Sequence, residues 1–314
     1  MAIKPEDRYP GQINPGDTDY PYGSAKNVAS PGSGDGTPLK DDWVNDDWGF
    51  KQKLLKQAGI IPTDNVDTVP VSQYFEALGK IARADIEPVI IKHDLVTPAS
   101  KIVLEPGVAW DSTRAQILAL DTALTKDLAA PWVVGNGNGG RAGALTADTW
   151  YHVFLIKHAN GTVDAGFDTS ITASNLLTAS TYDYYRRVGS IYYETAAIRL
   201  FVQIGRDFLW DSPHSDTNAV PVVYTPVTLL TPPGVSVTAK IALEFLSSGV
   251  GFSSVGLKSP LQTNGAISTY APVSEHGAAL EDIITDVFSA IEYKYFNSEP
   301  TYIDINTLGW REFV

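Results

Sequence analysis

The spacing of apolar residues changes along the chain from helical to strand-like. Leu39, Trp43, Phe50, Leu54 and Ala58 fall roughly on one helical stripe. Val71, Tyr74, Phe75, Leu78 and Ile81 follow at i, i+3, i+4, i+7 and i+10. Thr37 can cap the first helix, and Pro38 suits its first position. Asp41, Asp42, Asp46 and Asp47 crowd the early turns, and Lys51, Lys53 and Lys56 come late, an order that complements the helix dipole. Gly59 ends this helix. A second starts near Pro70, and the connection IIPTDNVDT is short enough for an antiparallel helix pair.

From residue 86 to 250 the period falls to two. WYHVFLIKH (150–158) is apolar on both faces, Asn160-Gly161 is a hairpin signal, and TVDAGFDTS returns. IRLFVQI alternates, with Ile198, Leu200, Val202 and Ile204 on one side. VSVTAKIALEF alternates with Val235, Val237, Ala239, Ile241, Leu243 and Phe245 inward. Strands at short intervals with turn residues between them predict an antiparallel β-sandwich. In AALEDIITDVFSAIEYKYF (278–296) Leu280, Ile283, Ile284, Val287, Phe288 and Ile291 keep helical spacing, yet β-branched and aromatic residues dominate. The two signals conflict, and the β reading is the one taken: 287–296 is predicted to pair antiparallel with 301–308 in a C-terminal sheet with Ile291, Tyr293 and Tyr295 on one face. The tip of that sheet is then a contact point for a partner or receptor. The expected class is mainly β with an N-terminal helical hairpin: an arm (1–36), a helix pair (37–84), a β-sandwich (85–233) and a C-terminal β region (234–314).

Residues 1–36 are rich in Pro, Gly and Asp, and their aromatic groups are Tyr9, Tyr20 and Tyr22. Such a segment cannot bury enough surface to fold alone. It is either a frayed terminus or an extended arm that orders on a partner; tyrosine beside proline favours the docking arm. Trp43, Trp48, Phe50, Leu54, Tyr74, Phe75 and Leu78 offer more apolar surface than two helices can hide, so copies of the unit pack together or the unit docks onto something.

Composition narrows the chemistry. A net charge of −13 argues against nucleic acid and against anionic membrane surfaces. The chain has no cysteine, and its 5 histidines include no i, i+4 pair on a helix, so no thiolate chemistry or histidine-rich metal site is expected. The N-terminus lacks the apolar core of a signal peptide, and no run of apolar residues is long enough to span a membrane. Gly135, Gly137 and Gly140 match G-x-G-x-x-G, but a strand follows where a dinucleotide site needs a helix. GDTDYPYG lacks the acid that closes a calcium loop. Ser212, His214 and Asp216 lie together in what reads as a Pro-rich loop, and adjacency is not triad geometry. An acid pair such as Asp164 with Glu194 is left open, because such pairs meet only in the fold. The expectation is no catalytic site, no metal and no cofactor.

Two stretches resemble tail-fibre-type virion proteins of tailed bacteriophages. The first runs from YGSAKNVASPGSGDG through PVSQYFEAL; its matching core is Trp43–Asp46, Gly49-Phe50, Gln52, Leu54-Leu55, Ala58–Ile60, Pro62 and Ser72–Tyr74. The second runs from TKDLAAPWVVGNGNGGR through YDYYRRVGSI to GRDFLWDSP and resembles a β-rich module common in the same proteins. Together they span residues 20–213. The resemblance implies a virion structural protein made in the bacterial host cytoplasm. It implies attachment to tail, collar or portal proteins through the arm and helix pair, β-domains that project outward, and usually a homotrimer. Two alternatives stand beside it: a receptor-binding adhesin module, and a fibre-borne glycan depolymerase.

Overall fold

The computed structural model describes residues 5–18, 24–38, 41–84 and 87–313. Two compact units divide at Gly79/Lys80. The first begins with α1 (Pro5–Arg8) and a two-stranded ladder of β1 (Ile13–Asn14) with β2 (Ser24–Ala25). The described part of the stretch read as a bare arm thus carries regular structure. Helices α2 (Asp41–Ala58) and α3 (Gln73–Arg83) follow. Helix α2 starts later than Thr37 and Pro38 suggested. The Thr37 hydroxyl does not cap it: it accepts the Lys26 N–H and donates to the Gln12 carbonyl. Its end is as expected. Gly59 takes φ 69°, Ile60 N–H reaches Leu55 O at 2.9 Å and Gly59 N–H reaches Lys56 O at 3.2 Å, a Schellman stop. Helix α3 begins at Gln73 because the Ser72 hydroxyl accepts the Phe75 N–H while Asp67 accepts the Gln73 N–H and the Ser72 hydroxyl.

The second unit is mainly β. In chain order its elements are β3 (Ile91–His93), β4 (Lys101–Leu104), β5 (Gly107–Trp110), β6 (Ile117–Leu120), β7 (Leu124–Pro131), β8 (Gly139–Arg141), β9 (Thr149–Lys157) and β10 (Val163–Asp168). Helix α4 (Ser174–Ser180), β11 (Tyr184–Glu194), β12 (Ala197–Ile198), β13 (Phe201–Ile204), β14 (Asp207–Thr217) and β15 (Thr225–Thr228) come next. The chain closes with β16 (Val237–Leu246), β17 (Ser253–Lys258), β18 (Ala266–Ala271), β19 (His276–Ile284), β20 (Ala290–Asn297) and β21 (Tyr302–Glu312).

One sheet of eight strands has the order β12-β11-β9-β10-β8-β7-β4-β3. It is antiparallel except where β8 joins β7 and β10 in parallel. Strand β9 explains the sequence pattern. Tyr151, Val153 and Leu155 face one core, while Phe154 and Ile156 face a second core closed by Leu176 of α4. A strand covered on both sides carries a continuous apolar run.

Strands β5 and β6 form a two-stranded sheet, and two larger sheets, β13-β14-β21-β16-β19 and β15-β20-β17-β18, face each other as a sandwich. Val237, Ala239, Ile241, Leu243 and Phe245 of β16 point inward and are fully buried, as their alternation predicts. Each large side chain there stabilises the fold by about 1.5–3 kcal/mol. Trp310 ties this sandwich to the eight-stranded sheet. It stacks on Phe208 at 4.8 Å and meets Trp150 of β9 edge-on at 5.4 Å. The β14–β21–β16 ladder crosses the 233/234 boundary expected between two β domains.

Two local expectations change. The C-terminal stretch is strand and not helix, and Ile291, Tyr293 and Tyr295 do share the core face. However, β20 pairs with β15 and β17, and β21 pairs with β14 and β16. The two strands lie in opposite sheets because Ile291 and Tyr293 bury against Ile303 and Ile305 across the sandwich. In β13 Phe201 and Gln203 are buried; of the alternating stripe, Ile198 is buried while Leu200, Val202 and Ile204 are exposed. Ser212–Asp216 is not a loop but part of β14, which bulges where it pairs with β21.

Candidate functional site

The N-terminal aromatic residues divide into buried and exposed. Tyr9 is buried, its ring 6.2 Å from that of Trp43, and Arg8 bonds Asp42 of α2. Tyr20 and Tyr22 lie outside the described residues. Leu54 is buried with Leu55 and Ala58, and Tyr74 is half-buried under Lys51 Nζ at 5.8 Å. Trp48, Phe50, Phe75 and Leu78 stand 56, 64, 77 and 49% exposed. Phe50 is thus exposed while Leu54 and Ala58 of the same stripe are buried. Trp48 and Phe50 are two positions apart, so they point about 200° from each other around α2. No single flat partner can cover both. Phe75 and Leu78, three apart, form one patch on α3.

The glycine-rich loop between β7 and β8 is organised by a buried ion pair. Lys126 Nζ lies 2.9 Å from Asp164 Oδ1 and donates to the carbonyls of Val133 (2.8 Å) and Gly135 (3.1 Å). Asp164 Oδ2 accepts the Gly135 N–H at 2.7 Å, and Lys126 Nζ sits 5.4 Å from the Trp132 ring centroid. Burial pushes the Lys126 ammonium below its ordinary pKa, and Asp164 opposes that shift. The loop joins two strands, so it offers no helix N-terminus to a pyrophosphate.

Sequence reasoning missed a row of polar groups inside the eight-stranded sheet. Ser190, His152 and Asp168 are register partners across β11, β9 and β10. His152 Nδ1 is 2.8 Å from Ser190 Oγ, and the same oxygen accepts from Arg187 Nη1 at 3.0 Å. Arg187 in turn pairs with Glu312, which also accepts the Trp310 indole N–H. This is not a catalytic triad. Asp168 is occupied by the N–H groups of Ser170 and Leu176 and by Asn175, and Ser190 is fully buried. Desolvation, reinforced by the Arg187 charge, lowers the His152 pKa to about 3, so it stays neutral. The available signal was a histidine inside an otherwise apolar run.

The other chemical candidates also come apart. Asp216 is held by Leu230 N–H at 2.9 Å and the Thr307 hydroxyl at 2.7 Å, with His214 Nε2 at 4.0 Å. Asp164 and Glu194 sit at opposite ends of β9, about 25 Å apart along the strand direction, beyond the reach of a glycosidase pair. A cleft of about 290 Å³ is bordered by Ser112, Arg187 and Glu312, and the Arg187 and Glu312 charges are paired with each other. Among the described residues no cluster of His, Asp or Glu could hold a metal, and no helix is long and apolar enough to cross a membrane.

No protein-family model and no curated protein matches this sequence. Among solved structures, the infectious bursal disease virus VP2 subviral particle aligns at 10% identity and a TM-score of 0.17, covering 82% of this chain and 78% of that one. The structure of the infectious bursal disease virus Gx strain aligns at 12% identity and a TM-score of 0.14, covering 71% of each chain. Alignments at such scores establish neither a common fold nor a common function.

Proposed function

We propose that this protein is a structural subunit of a tailed-bacteriophage virion, of tail or collar fibre type. Its first 79 residues form the docking unit and its β-unit is the presented part. The resemblance of residues 20–213 to tail-fibre-type proteins supports this. The observation that carries it is the exposure of Trp48, Phe50, Phe75 and Leu78 on two helices whose own buried residues are few. Monomeric proteins rarely leave large apolar patches in water. Rings on two sides of α2 need neighbours on both sides, which suits a helix surrounded by other copies or by a ring of tail, collar or portal proteins. A homotrimer satisfies this. We infer a part that assembles and does not react, consistent with a neutral, sealed Ser190–His152 pair and with carboxylates engaged in internal bonds.

Particle incorporation tests the proposal. Trp48→Ser combined with Phe75→Ser removes surface rings and leaves Leu54, Leu55, Ala58 and Ala77 in place. The variant should fold with an unchanged circular dichroism spectrum and be missing from purified particles. Normal copy number in particles would refute docking through these helices. Deleting residues 1–30 is a poorer test, because it also removes Tyr9 from its buried place beside Trp43.

A further inference from the structure

Strand β19 is an edge of the five-stranded sheet, nine residues long, paired with β16 on one side without a bulge. Edge strands are usually blunted by proline, lysine, a bulge or shortness. HGAALEDII has no proline, lysine or bulge and is long; its acids are Glu281, half-buried on the inner face, and Asp282, which pairs with Lys240 of β16. Leu280 and Ile284 on its outer face are 77 and 44% exposed. Hydrogen bonding fixes which backbone groups face outward. Ser247 N–H reaches Glu275 O at 2.9 Å and Thr285 N–H reaches Val237 O at 2.9 Å, so odd-numbered residues of β19 bond to β16. The Glu312 N–H to Arg206 O bond at 3.1 Å gives the same phase when followed through β21 and β16. The amides and carbonyls of His276, Ala278, Leu280, Asp282 and Ile284 therefore point away from the sheet.

We propose that two copies of this chain join antiparallel through β19, about a two-fold axis at Leu280, extending the sheet from one copy into the next. A two-fold contact pairs a surface with itself, so each register can be tested against the sequence. Only pairing His276 with the partner's Ile284 engages all nine residues. That register places Leu280 opposite Leu280, as two outward-bonding residues, and brings an exposed leucine pair together. Glu281 then faces Ala279, and Asp282 faces Ala278. Shifting the axis toward the C-terminus sets Glu281 opposite Glu281 or Asp282 opposite Asp282, and like charges in that position destabilise. The full register thus combines hydrogen-bond phase, length and charge. This contact is independent of the helices and would link copies or fibre subunits side by side.

The chain has no cysteine, which makes a clean test possible. In the proposed pair the Leu280 Cα atoms are about 5.5 Å apart, within disulfide reach, whereas those of Ile284 are about 27 Å apart. Full-length Leu280→Cys and Ile284→Cys are each oxidised at micromolar concentration and run on a non-reducing gel. Leu280→Cys should form the dimer at least about tenfold faster than Ile284→Cys. A mixture of His276→Cys and Ile284→Cys should cross-link where neither does alone. Equal rates at positions 280 and 284, or no dimer with any of the three, overturns the proposal. All three sites are exposed, so folding is preserved, and loss of helix docking would leave this pattern unchanged.

Discussion

Lys126 Nζ and Asp164 Oδ1 meet at 2.9 Å with side chains 0 and 2% exposed, inside the loop whose glycines imitate a nucleotide fingerprint. The ammonium spends its remaining donors on Val133 and Gly135 carbonyls, and the carboxylate holds the Gly135 amide. The glycine-rich turn is wrapped around an internal charge pair, which takes the Val133 and Gly135 carbonyls and the Gly135 amide.

Breaking this pair from one side should be costly. Lys126→Met leaves Asp164 buried without its partner and should destabilise by about 3–5 kcal/mol. Lys126→Met with Asp164→Leu removes both charges and should recover much of that loss. Urea unfolding midpoints for the single and double variants check this. Equal loss in both would mean that the loop needs the pair itself and not merely charge balance.

His152 should make the protein acid-sensitive. Its pKa is near 3 when folded and 6.5 otherwise, so the unfolded chain binds a proton that the folded chain refuses. Stability from this group is complete above pH 6.5 and falls as pH drops toward 3. The loss is about 1.4 kcal/mol per pH unit, or about 2 kcal/mol at pH 5. His152→Asn should flatten that part of the profile, measured as unfolding free energy at pH 7 and pH 5. An unaltered difference between the two pH values would show that His152 does not carry it.

Tyr293 joins the two layers of the sandwich. Its ring is 2% exposed, and its hydroxyl donates to Ala219 O at 3.2 Å and lies 3.2 Å from Thr217 Oγ1. Tyr293→Phe should cost about 1 kcal/mol. Tyr293→Asp should cost at least about 3 kcal/mol, from a lost ring and a buried charge. Thermal melts of the two variants separate the contributions.

The sequence alone determined what depends on neighbours a few residues away. Alternation in 237–246 names its buried face, an apolar run marks β9 as covered on both sides, Gly59 marks a helix end, and β-branched residues outvote helical spacing near Ile291. Tertiary structure decided what depends on distant chain. Gln203 turns inward because Ile91 N–H, Val89 O and Gly205 O satisfy its amide, and that sends Leu200, Val202 and Ile204 to the surface. Strand β20 crosses to the sheet opposite β21 because their apolar faces bury against each other. Lys126 finds Asp164 38 positions away. A period of two reports that one face is buried, but pairing and burial are settled by segments far apart in sequence, so local spacing cannot encode them.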